Sequence, residues 1–83
     1  MVYRITIRRK AIKSLENISD PYYSRIKEAI YSLANNPRPS GCKKLKGRNG
    51  YRIRVADYRI IYEIFDNALI VNIINLGHRK EIY

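Results

Sequence analysis

Three arginines set in two alternating runs are the part of this sequence best equipped for chemistry. In Tyr51-Arg52-Ile53-Arg54-Val55 the apolar residues alternate with Arg52 and Arg54. After Ala56-Asp57 the alternation resumes with Tyr58, Ile60 and Tyr62 around Arg59. A period of two belongs to a strand, so the stretch reads as a hairpin. A two-residue loop pairs Val55 with Tyr58, Ile53 with Ile60 and Arg54 with Arg59. Arg52, Arg54 and Arg59 then share one sheet face. Like charges directly opposed in a sheet repel unless an anion compensates them, which makes this a phosphate-binding face. A solvated face of a hairpin is the competing reading. Just upstream, Lys43, Lys44, Lys46 and Arg48 crowd a loop over residues 39–50, with Leu45 as its apolar anchor. A basic loop beside an arginine face suits contact with a phosphate backbone.

The whole composition points the same way. The chain has 83 residues, 17 Lys plus Arg against 7 Asp plus Glu, and a formal net charge of +10. Such a field steers a small protein toward RNA, DNA or an acidic protein partner. At 46% hydrophobic residues, one core and one domain spanning 1–83 are expected. A single cysteine, Cys42, excludes an internal disulfide. One cysteine with one histidine gives no basis for a zinc site, so neither metal nor cofactor is expected. No apolar run reaches membrane-spanning length, and residues 1–6 lack a signal-peptide core. A soluble cytoplasmic protein with no membrane partner is the expectation.

The elements that must position the arginines follow from periodicity. Residues 2–7 alternate as a strand, with Tyr3, Ile5 and Ile7 on one side. A helical stripe of Ala11, Ile12, Leu15 and Ile18 follows. Ser19-Asp20-Pro21 marks a boundary, with Asp20 able to cap and Pro21 suited to a first turn. A second helix is expected from about 21 to 33 or 34, with Tyr23, Ile26, Ala29, Ile30 and Leu33 as its stripe. Asn35-Asn36-Pro37 stops it. Arg8, Arg9, Lys10 and Lys13 read mainly as a solvated helix face. The hairpin's second strand runs on through Glu63-Ile64-Phe65, and Asp66-Asn67 signals another turn. Residues 68–76 are apolar at both parities, as in a central strand. If Phe65 opposes Ala68, then Arg59 opposes Ile74, Ile61 opposes Asn72, and Asn72 joins the arginine side. The predicted fold class is α+β: an N-terminal strand, a two-helix hairpin, then an antiparallel meander with the helices on one face. The helix-covered face carries Ile53, Val55, Tyr58, Ile60 and Tyr62. The other, concave face carries the arginines.

Three segments in this order resemble the RelE/ParE toxin superfamily, specifically RelE-type RNA endonucleases. They are Lys44-Leu45-Lys46-Gly47, then Tyr51 through Glu63, then Leu76-Gly77-His78-Arg79-Lys80-Glu81-Ile82-Tyr83. The strand–helix–helix–meander order agrees along the whole chain. The resemblance implies the toxin of a toxin–antitoxin pair that cleaves messenger RNA in the ribosomal A site, without a metal. The RNA 2′-hydroxyl attacks the adjacent phosphate and leaves a 2′,3′-cyclic or 3′-phosphate and a free 5′-hydroxyl. It implies a cognate antitoxin that wraps the toxin, and operator DNA bound only through the toxin–antitoxin complex.

By the same resemblance Arg59 and Arg79 bind the scissile phosphate, and Tyr83 orients or stacks on the substrate base. Guanidinium suits the first role, being permanently charged and able to clamp two oxygens. Arg52 and Arg54 stand where the best-known members carry lysine, and arginine does not serve as a base. His78 is then the candidate proton carrier, since its ordinary pKa lies near neutrality. A surface histidine is the competing reading. Glu63 is a weaker base candidate. Ala56 stands where a turn glycine is common in the family, so a strained hairpin turn is expected. Two other classes remain open: a ParE-type poison of DNA gyrase with the same fold, and a plain basic RNA-binding module.

Overall fold

The computed structural model describes residues 2–47 and 50–78. Its elements are β1 (Arg4–Ile7), α1 (Arg9–Glu16), α2 (Tyr22–Ser32), β2 (Lys43–Lys44), β3 (Tyr51–Val55), β4 (Tyr58–Phe65) and β5 (Ile70–His78). The described strands form one five-stranded sheet in the order β1-β5-β4-β3-β2. Neighbours are antiparallel except β1, which runs parallel to β5. This is the expected α+β architecture, with α1 packed over β5 and α2 over β3.

The helices form where one stripe has a sheet to cover. Ile26, Ile30 and Leu33 are fully buried on the α2 side. Asp20 holds the first turn of α2: its carboxylate accepts from the Ser24 N–H at 3.0 Å and from Ser24 Oγ at 2.6 Å. Those bonds satisfy a donor that the helix start leaves open. They also hold the Asp20 carboxyl below its usual range. In α1, Ala11 is buried and Leu15 packs on the core, while Ile12 is 42% exposed. Adjacent helical residues point about 100° apart, so Ala11 and Ile12 cannot both face β5, and the expected stripe narrows to Ala11, Leu15 and Ile18.

The β3–β4 hairpin has the register the alternation predicts. Val55 opposes Tyr58, Arg54 opposes Arg59, Ile53 opposes Ile60, and Arg52 opposes Ile61. Its turn places Ala56 at φ 54°, a left-handed conformation that costs a residue with a Cβ about 1–2 kcal/mol. Glycine adopts it without that cost and loses some backbone entropy in exchange. Ala56→Gly is therefore expected to stabilise the fold by about 0.5–1 kcal/mol. The check is a urea midpoint that rises at unchanged slope.

β5 departs from expectation. Phe65 opposes Ile70, not Ala68, because residues 66–69 make a longer turn that ends on Leu69 at φ 54°. A second irregularity follows: Tyr62 opposes Ile73 but Ile61 opposes Asn75. Ile74 is thus the extra residue of a β-bulge. Arg59 consequently opposes Gly77 rather than Ile74, and Ile61 opposes Asn75 rather than Asn72. Asn72 opposes Glu63 and keeps its place on the arginine side. A bulge reverses the inward and outward sense of everything beyond it. It turns Leu76 into the core, at 2% exposure.

The core lies between the helices and the inner sheet face, built on Ile53, Ile60, Tyr62, Val71, Ile73 and Leu76. Tyr62 is wholly buried, and its hydroxyl donates to the Pro37 carbonyl at 2.8 Å. Burial pushes its phenol pKa up. Beside it, Arg38 grips Asp66 with both terminal nitrogens at 3.3 and 2.9 Å. Its Nε donates to the Tyr51 hydroxyl at 3.3 Å, and its guanidinium lies 5.3 Å from the Tyr51 ring centre. Tyr3 donates to the same carboxylate at 2.7 Å. This clip ties the connection after α2 to β1, to β3 and to the β4–β5 turn.

The hydrogen bonds from Arg38, and then from Tyr3, hold the Asp66 carboxyl below its usual range. A carboxyl depressed in the folded state stabilises above its unfolded pKa, about 3.9 for aspartate. That stabilisation is lost as pH falls through the lower folded value. Asp66→Asn should therefore lower the melting temperature at neutral pH and shrink its fall below about pH 4. Equal acid slopes for the two proteins would remove Asp66 from the acid transition.

Candidate active site

β3 and β4 present Arg52, Arg54 and Arg59 on the sheet face away from the helices, as their parity requires. β2 adds Lys43 opposite Arg52. These side chains, with Gly41 and Ile53, line a hollow of about 290 Å³. Gly41 has φ 92°, which the turn into β2 needs and which side chains rarely adopt. Arg54 is exposed, while Arg52 and Arg59 are half-buried.

The basic loop divides. Lys43 shares the arginine row, whereas Lys44 opposes Tyr51 and takes the other parity. Lys46 lies in the following turn and is exposed. Arg48, Arg79 and Tyr83 lie outside the described residues.

Along β4 and β5 the arginine face continues as Ile61, Glu63, Asn75 and Asn72, which pair across the two strands. Ile61 is only 6% exposed. It opposes Arg52 on one side and Asn75 on the other, an apolar seat between polar neighbours. Thr6 of β1 donates to Asn72 Oδ1 at 2.9 Å, and the Leu76 N–H donates to Asn75 Oδ1 at 3.0 Å. Asn75 and the placement of Lys43 within the row were not expected. The first had a signal: two asparagines three residues apart in an apolar run do not share a face without a bulge.

His78 is not brought to Arg59. Beyond the bulge it opposes Tyr58, whose parity is that of the helix-covered face. Its ring stands edge-on to Tyr58 with centres 5.9 Å apart, and Tyr58 in turn lies 5.6 Å from Tyr22. Ser14, Asn17, Ile18, Tyr58, Gly77 and His78 line a second hollow of about 370 Å³ there. The expectation of one cluster of Arg59 and His78 assumed an unbroken β5, and the bulge separates them to opposite faces.

Chemically the arginine face is suited to an anion. Guanidinium groups present fixed forks of donors that match phosphate oxygens, and lysine adds a mobile point charge. A phosphodiester backbone laid on this face meets Lys43, Arg52, Arg54 and Arg59 together. No group of three or more His, Cys, Asp or Glu side chains able to hold a metal exists among the described residues. No helix among them is long and apolar enough to cross a membrane.

Comparison with known proteins adds a lineage to this geometry. The profile of a family described as the ParE toxin of type II toxin–antitoxin systems matches residues 5–83. A RelE toxin of Methanocaldococcus jannaschii is 36% identical over 77 residues, which cover 87% of this chain and 85% of that one. The mRNA interferase toxin RelE of Escherichia coli K12 is 25% identical over 88 residues, covering 100% and 92%. Among solved structures, the archaeal RelE–RelB complex from Pyrococcus horikoshii contains a chain that superposes with a TM-score of 0.86 at 30% identity. The match covers 98% of this chain and 99% of that one.

Proposed function

This chain belongs to the ParE toxin family of type II toxin–antitoxin systems, within the RelE/ParE superfamily, and from that premise we propose that it is an endoribonuclease that cleaves messenger RNA on the ribosome. The observation that carries the reading is the row of Lys43, Arg52, Arg54 and Arg59 around one hollow on the open sheet face. The similarity to a protein named mRNA interferase supports it.

In the proposed reaction the 2′-hydroxyl of one nucleotide gives up its proton and attacks its own 3′-phosphate in line. The P–O2′ bond forms as the P–O5′ bond breaks, leaving a 2′,3′-cyclic phosphate, and the departing 5′-oxygen takes up a proton as a free 5′-hydroxyl. Negative charge grows on the phosphorane oxygens. Arg59, fixed on the central strand β4, meets that charge, with Arg79 as its partner by family resemblance. Donors already in place where charge develops lower the barrier without reorganising. Arg52 and Arg54 hold the flanking backbone, and Tyr83 packs on the base. The reaction so written uses no metal, because guanidinium charge does the neutralising. His78, which opposes Tyr58 on the helix-covered side, is given no step in it. Lys43, Lys46 and Arg48 add affinity for the phosphate backbone, and Lys44, on the other parity of β2, adds only its longer-range charge.

An antitoxin protein that covers this basic face is the proposed partner, as RelB partners RelE in the archaeal complex. Contact with operator DNA is proposed only through that complex. The test of the activity is direct. Purified protein is added to ribosomes translating a defined message, and the new ends are mapped. Cleaved messages with free 5′-hydroxyl ends are expected. One observation favours a second reading: the matching family is described by ParE rather than RelE. Intact messages together with trapped gyrase–DNA complexes would replace the first reading with that one.

The loop makes a separate prediction. Replacing Lys43, Lys44 and Lys46 with alanine should weaken ribosome binding and flatten its salt dependence. Each lost contact with single-stranded phosphate removes about 0.7 from the log–log slope. Single-turnover cleavage of bound message should change little. An unchanged slope would make the loop a solvated one.

A further inference from the structure

We infer that Asn75 is a base-contacting residue of the arginine face, an inference that rests on the RNA-cleaving reading. β5 carries Asn72 and Asn75 three residues apart within an apolar run. In an unbroken strand an odd spacing sends two side chains to opposite faces. The bulge at Ile74 removes that conflict. Asn72 opposes Glu63, Asn75 opposes Ile61, and both take the face of Arg59. Bulges commonly re-aim a side chain beside a functional site. Because Arg59 opposes Gly77, Asn75 is its diagonal neighbour, roughly 7–8 Å away along the sheet and within reach of long side chains.

The orientation of the Asn75 amide is fixed by chemistry. The Leu76 N–H donates to it at 3.0 Å in a partly buried setting. A backbone N–H only donates, and an amide NH₂ does not accept. The atom facing Leu76 is therefore the oxygen. Nδ2, with two N–H donors, is the end that remains for a ligand. The guanidinium groups beside it already answer phosphate charge. A neutral, directional donor suits an uncharged acceptor, such as a carbonyl oxygen or ring nitrogen on a nucleobase edge. Single-stranded RNA exposes such edges, and they are where sequence is read. The ligand is therefore the base adjoining the phosphate held at Arg59, and Asn75 selects for an acceptor on its edge.

The test maps cleavage sites on ribosomes programmed with randomised codons, for wild type, Asn75→Asp and Asn75→Ala. Aspartate keeps the oxygen that receives the Leu76 N–H and replaces the donor with an acceptor. At one position beside the cleaved bond, Asn75→Asp should shift preference roughly tenfold. The shift should run from bases that present an acceptor to bases that present an amine. Asn75→Ala should lose preference at that position without gaining a new one, and it carries the test alone if circular dichroism shows the aspartate variant unfolded. A fall in rate that is uniform over all codons would mean that only charge was added, and would overturn the inference. Unchanged profiles in both variants would overturn it too. A wild type that leaves every codon intact overturns the RNA-cleaving reading, and this inference with it. Cleavage by wild type with unaltered Asn75 profiles overturns the inference alone.

Discussion

Arg59→Ala is expected to slow single-turnover cleavage of ribosome-bound message by about a hundredfold to a thousandfold, with little change in the affinity for the ribosome. Arg59 opposes Arg54 and lines the hollow with Arg52 and Lys43. Several cations therefore remain to hold the backbone when it is removed. What is lost is one positioned donor where charge grows, and such losses fall on the rate of the chemical step. Arg59→Lys should recover only part of the rate, because lysine keeps the charge and loses the two-pronged geometry. His78→Gln in the same assay should leave the pH–rate profile as it is in wild type, since the bulge turns His78 to Tyr58 and away from the arginines. A folded Arg59→Ala protein that cleaves near the wild-type rate would refute the site. A displaced pH profile for His78→Gln would return a proton to that histidine.

The hairpin was legible in the sequence because two independent signals agree there. A strict period of two fixes which side chains share a face, and a two-residue loop fixes the register. Together they place Arg52, Arg54 and Arg59 on one face of the sheet. α2 was legible for a similar reason: Ile26, Ile30 and Leu33 recur at helical spacing, and Asp20-Pro21 and Asn36-Pro37 punctuate the ends. β5 was not legible, because it is apolar at both parities. Hydrophobic pattern specifies register only where one face is polar, so nothing in residues 70–76 except the spacing of Asn72 and Asn75 betrayed the bulge. That one extra residue decides the fate of His78 and Leu76. The Arg38–Asp66 clip was hidden for another reason. It joins two turns 28 residues apart, and turns carry no period from which a tertiary contact can be read. Lys43 and Lys44 look equivalent in the chain, yet a strand of two residues is enough to send them to opposite sides.

Ile60→Ala is expected to do the reverse of Arg59→Ala. Ile60 is the next residue along β4 and is fully buried. It stands between Ile53 of β3 and Leu76 of β5 on the helix-covered face. Truncation removes buried methyl and methylene groups and leaves a cavity that relaxes only in part, at a cost of about 2–5 kcal/mol. A chain of this length has roughly 4–12 kcal/mol of stability in total. The urea midpoint should therefore fall by a large fraction of its value. At low temperature, where the variant remains folded, the arginine row is intact on the opposite face and the single-turnover rate should stay close to wild type. Circular dichroism melts and cleavage rates on the same pair of variants check both halves. Neighbouring positions on one strand would thus separate the two faces of the sheet, one for stability and one for chemistry. A stable Ile60→Ala protein would mean that the sheet's inner face is not the core, and loss of cleavage by a demonstrably folded Ile60→Ala would mean that the inner face takes part in the reaction.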